Sequence, residues 1–127
     1  MRLIAPLLAL SVMVAQSRTM KPGEWGGPHA RMTVRANDAS IEFDCARGVV
    51  AGKIPLNAKG QFEVRGRYMA ERGGPVRKGD DRTGVPVTYR GNIRDATLAL
   101  ETIAEDGTII GMFTLSRNAQ PRLIKCR

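Results

Sequence analysis

Residues 41–45, Ile-Glu-Phe-Asp-Cys, make two demands on the fold at once. In extended chain Ile41, Phe43 and Cys45 fall on one side and Glu42 and Asp44 on the other, the period-two pattern of a half-buried strand. Cys45 is also one of only two cysteines, and the other, Cys126, is the penultimate residue. A bond between them ties a strand near the start of the domain to its end. Closing a loop of about 80 residues stabilises by roughly 4 to 5 kcal/mol in the chain-entropy model. That is comparable to the whole net stability of a small domain.

Whether the bond forms depends on compartment, and the start of the chain addresses that. Arg2, the apolar residues 3–15 and the small residues of Ala15-Gln16-Ser17 read as a secretory leader with its cleavage site. The apolar run is shorter than the roughly 20 residues that a membrane-spanning helix needs. The expected organisation is a signal helix over 1–17 and one domain over 18–127, periplasmic or secreted, with no transmembrane segment in the mature chain. In an oxidising compartment two cysteines pair and persist. Two cysteines and one histidine, far apart in sequence, make no metal set, and no cofactor is expected.

The rest of the chain repeats the short alternating pattern. Strands are expected at 31–35, 41–45, 48–54, 61–68, 85–93, 97–102, 109–115 and 122–126, and no stretch of the mature chain holds helical period. The Gly-flanked segment 18–27 reads as turn-rich, with Trp25 as a plug at one end of the core. Gly66, Gly91 and Gly111 sit on inward faces beside Tyr68, Tyr89 and Phe113. Glycine at such sites permits the bend that curls a sheet closed. The fold class is therefore all-β, a small antiparallel up-and-down barrel of about eight strands. In that order the strand at 31–35 lies between those carrying Cys45 and Cys126, about two strand spacings apart, near 10 Å. Bridging needs Cα atoms within about 7 Å. Either the rim curves inward there or the 31–35 strand is peeled away.

Charge bounds the partners. The chain carries a formal +8, and loss of the leader removes only Arg2. The excess is densest over 65–94, where the polar, Gly-rich stretch 69–84 exceeds an ordinary hairpin loop. Arg72, Arg77, Lys78 and Arg82 in that loop are the candidate ligand contacts, directed at an anionic or amphipathic ligand. Asp80-Asp81 lacks the alternating acid spacing of a calcium loop. Nucleic acid is disfavoured, because single-strand binders stack bases on several aromatics and the basic stretch has one exposed candidate at most. No nucleophile stands beside a base in any catalytic motif and no glycine-rich phosphate loop opens a helix, so enzyme chemistry is not expected. Three non-enzymatic readings stay open: a binding module at the cell envelope, a protein inhibitor of an extracellular hydrolase acting on a protein partner, and a structural envelope protein.

Gly23-Glu24-Trp25 before the strand at 31–35 resembles the Gly-x-Trp that opens the barrel of lipocalins, avidins and bacterial metalloprotease inhibitors. The resemblance implies that Trp25 packs at the barrel end under an arginine from the last strand, with Arg122 as the candidate cover. Cysteines in the second and final strands are similar to those of periplasmic lysozyme inhibitors, although the Ser-Gly-x-x-Tyr segment of those inhibitors is absent. A strongly basic chain would also repel a basic lysozyme.

Overall fold

Alternation of apolar and polar residues sets which side of each strand faces inward, and the turns between strands set their order. The computed structural model describes residues 18–71 and 84–126; the expected signal helix over 1–17 lies outside them. Ten strands form: β1 (Arg18–Thr19), β2 (Gly23–Gly27), β3 (Ala30–Val34), β4 (Asp38–Phe43), β5 (Ala46–Ala51), β6 (Pro55–Leu56), β7 (Gln61–Ala70), β8 (Val85–Arg94), β9 (Thr97–Ala104) and β10 (Ile109–Arg117). Eight of them close an antiparallel barrel in the order β10-β2-β3-β4-β5-β7-β8-β9. β1 and β6 make a separate two-stranded ribbon. There is no helix among the described residues.

The interior is filled by side chains from every strand of the barrel. Met32, Ile41, Val50, Tyr89, Leu98, Leu100 and Leu115 are all buried in one core. Tyr89 lies over the neighbouring strand β7, donating its hydroxyl hydrogen to the Arg67 carbonyl at 2.7 Å. Its ring passes so close to Gly66 that a Cβ there would meet the ring at 2.7 Å and the Val49 carbonyl at 2.5 Å. The inward glycine thus makes room for the ring of the next strand. Burial raises the Tyr89 phenol pKa far above its ordinary value, so the group stays a neutral donor.

Two segments differ from the sequence expectation, for one physical reason. Residues 23–27 form a barrel strand, whereas 122–126 do not. β2 carries too many glycines to alternate visibly, but β3 pairs along its whole length and β10 through Ser116↔Gly26 and Arg117↔Trp25. With β2 closing the wall, no ladder position remains for the end of the chain. It instead reverses after β10 and returns as a strap outside the barrel, with a single parallel bridge, Pro28↔Arg122. Gly26 is what admits the strap. The Ala119 carbonyl lies where a Gly26 side chain would stand, and the Pro121 nitrogen is 3.0 Å from that position.

The strap also removes the spacing problem of the disulfide. Arg122 bonds backbone to backbone with Gly27 and His29. Ile124 N–H donates to Asp44 Oδ1 at 2.8 Å, and Lys125 Nζ donates to the Phe43 carbonyl at 3.0 Å. Cys126 then bonds Cys45, with Cα atoms 5.1 Å apart. The chain end reaches the β4–β5 turn by crossing over β3, so β3 need not be peeled away.

Asp44 is the hub of this clasp, since its second oxygen meets His29 Nδ1 at 2.6 Å. The Ile124 N–H, and then His29, hold its carboxyl below the ordinary value of 3.8. A depressed folded-state value means that this stabilisation is complete above 3.8 and is lost as pH falls through the lower folded value. Melting temperature measured from about pH 5 to about pH 2 should therefore fall more steeply for the wild type than for Asp44→Asn, which keeps the acceptor and removes the titration.

Candidate functional site

The two ends of the barrel are built differently. At the end where β2 starts and β10 finishes, Trp25 is 3% exposed and the Arg117 guanidinium lies 4.9 Å from its ring centroid. Arg117, not Arg122, is the arginine over this tryptophan, because 122–126 is strap and the last strand ends at Arg117. The ribbon of β1 and β6 adds buried Met20 and Ile54, joined by Met20 N–H to the Ile54 carbonyl at 2.8 Å. This end is sealed.

At the other end the inward positions carry aromatic rings. Phe43 ends β4, Tyr68 lies near the end of β7, and Phe113 comes from β10 on the far side of the lumen. The Phe43 ring centroid is 5.0 Å from that of Phe113 and 5.6 Å from that of Tyr68, both pairs tilted. Ala30 and Ala46, small and fully buried, leave room for them. Phe43 is buried, while Tyr68 and Phe113 are half-exposed. Val85, paired opposite Tyr68, is 52% exposed. Burial raises the Tyr68 pKa, so its phenol is neutral at neutral pH. Lower on the same inward side, Thr102 is 1% exposed and its hydroxyl has no hydrogen-bond partner among the described residues. It pairs with Gly111, two residues before Phe113.

Arg72, Arg77, Lys78 and Arg82, the contacts expected from sequence, lie outside the described residues. The segment that carries them leaves and rejoins the barrel at this aromatic mouth. Glu71 N–H bonds the Cys45 carbonyl at 2.8 Å, and the Gly84 carbonyl accepts from Arg67 at 2.7 Å. Cys45 and Cys126 clip the strap to the same end. The aromatic trio was not foreseen: each ring reads from sequence as core for its own strand, and closure alone brings the three together.

Two concavities lie elsewhere. A groove of about 720 Å³ on the outside of β7, β8 and β9 is bordered by Leu56, Asn57, Gln61, Asn92 and Ala99. Its one cation, Arg90, sits between Glu63 at 3.4 Å and Glu101 at 3.8 Å. That leaves no unpaired positive charge for an anion. A smaller hollow of about 350 Å³ over β3, β4 and β5 contains Arg47 and Arg31, the latter held by Glu42 at 2.7 Å. The described residues hold no cluster of three or more metal-ligating side chains. Compared with protein-family models, curated proteins and solved structures, the chain finds no match, and its functional reading rests on these side chains alone.

Proposed function

We propose that this is an exported, non-enzymatic binding module for an anionic amphiphile. The apolar part of the ligand rests on Phe43, Tyr68 and Phe113, and its head group meets Arg72, Arg77, Lys78 and Arg82. The carrying observation is the contrast between ends: one is sealed by Trp25 under Arg117, the other presents half-exposed rings where the basic segment joins. An uncharged aromatic surface favours apolar contact, and four cations in one connecting loop favour an anion beside it. The packed core directs the ligand to the mouth rather than a deep cavity. The Cys45–Cys126 bond supports an oxidising, periplasmic or extracellular location. Trp25 on the first barrel strand beneath Arg117 on the last supports a calycin-like ancestry.

Fluorescence titration with anilinonaphthalene sulfonate, an anionic aromatic amphiphile, tests this, with displacement by dodecyl phosphate. Phe113→Ala is expected to weaken probe binding by about tenfold, the equivalent of one lost aromatic contact. Arg72→Gln, Arg77→Gln, Lys78→Gln and Arg82→Gln together should weaken it at least as much, with the melting temperature nearly unchanged. Wild-type probe affinity in both folded variants would remove the mouth from consideration.

A further inference from the structure

The sealed end carries a second feature, and it concerns charge. On the barrel wall most cations are already held: Arg31 by Glu42, Arg35 by Asp38, Arg65 by Glu105 and Arg90 by Glu63 and Glu101. Lys125 of the strap is bracketed by Glu42 and Glu71. The Trp25 end is different. Arg18, Lys21, Lys53, Lys59, Arg94 and Arg117 are all exposed there. None of the six forms an ion pair among the described residues, and Arg117 is engaged only with the Trp25 ring.

These six come from separate pieces of chain that the fold stitches into one rim. Arg18 in β1 pairs opposite Leu56 of β6, and Lys21 follows Met20, whose N–H bonds Ile54 next to Lys53. Lys59 sits in the turn closed by Gly60 N–H to the Asn57 carbonyl, and the Gly60 carbonyl accepts from Ile93 beside Arg94. Arg117 N–H bonds Ala96 in the next turn. The unpaired acids at this end are Glu24 and Asp95, so the rim is net positive.

We infer that this rim is a docking surface for an anionic phospholipid bilayer, separate from the mouth and facing away from it. Exposed cations on several separate turns at one end of the barrel suit an extended anionic surface, which can engage them together. A linear polyanion would follow a groove, and neither groove described above is lined by these residues. Among the described residues no large hydrophobic side chain at this rim is exposed, since the exposed ones are Val49, Val85, Ile109, Ile110, Met112 and Ile124. Attachment is therefore electrostatic and lies outside the hydrocarbon. Bound this way, the protein holds its aromatic mouth away from the membrane.

The test is co-sedimentation of the full mature chain with phosphatidylcholine vesicles containing phosphatidylglycerol, and with pure phosphatidylcholine vesicles. Binding is expected only to the anionic vesicles, and is expected to vanish near 1 M salt, where the screening length shrinks to about 3 Å. Replacing Lys21, Lys53, Lys59 and Arg94 by Gln should lower vesicle affinity by at least ~100-fold, because each cation near an anionic surface contributes roughly fivefold. The same variant should keep wild-type melting temperature and wild-type affinity for anilinonaphthalene sulfonate. Undiminished vesicle binding in this variant overturns the inference. So does a wild type that ignores anionic vesicles but binds heparin through the same four residues. Loss of vesicle binding with the probe retained supports the rim whatever the fate of the mouth.

Discussion

Replacing Cys45 and Cys126 together by serine is expected to cost about 4 to 5 kcal/mol and lower the melting temperature by roughly 15 to 25 °C. The bond joins residues separated by 81 positions, so the unbridged unfolded chain gains a large loop entropy. The folded state changes little in its barrel, because all eight wall strands pair without the strap. What loosens is the clasp at the mouth, where Ile124 and Lys125 bond Asp44 and Phe43. Calorimetry of the variant beside oxidised wild type measures the effect. A loss below about 1 kcal/mol would mean that strap hydrogen bonds alone order the chain end, since each contributes on the order of 1 kcal/mol.

Trp25→Ala carries the second large effect, an expected loss of about 3 to 5 kcal/mol. The indole is almost wholly buried at the sealed end, and alanine would leave a cavity bounded by backbone that cannot collapse. It would also leave Arg117 without its ring. Trp25→Phe should recover a substantial part, as an aromatic face beneath the guanidinium remains. Urea unfolding measures both variants, with an unchanged denaturant slope confirming that folded and unfolded states are otherwise comparable. An alanine variant as stable as wild type would show that Met20 and Ile54 seal this end unaided.

The two cases mark what a sequence reader can and cannot see. Alternation in 61–68 and 85–93 identified inward residues directly, because a half-buried strand imprints its facing on every second residue. The inward Gly66, Gly91 and Gly111 pointed to curvature for the same reason. β2 is not legible because its identity comes from neighbours: Gly23, Gly26 and Gly27 show no alternation, yet β3 and β10 both pair with it. The segment 122–126 failed in the opposite direction. Leu123 to Cys126 alternates well enough for a strand, but Ile124 is 70% exposed, and a pattern without a ladder partner makes no strand. Arg117 is hidden as the cover of Trp25 because 122–126 reads as the last strand, whereas the last strand ends at Arg117. Among candidate contacts, a run of cations is visible in any sequence, whereas the mouth is a product of closure. Phe43 and Phe113 are seventy residues apart in a chain whose strands must first form a ring before their rings meet.

The most direct measurement is chemical-shift mapping of the folded, oxidised protein titrated with dodecyl phosphate. A binding module with one sealed and one aromatic end should show its largest perturbations at Phe43, Tyr68, Phe113 and the backbone around Glu71 and Gly84, with Trp25 unmoved. Perturbations confined to Gln61, Asn92 and Ala99 would place the ligand in the outer groove and contradict that assignment, as would a spectrum that does not respond.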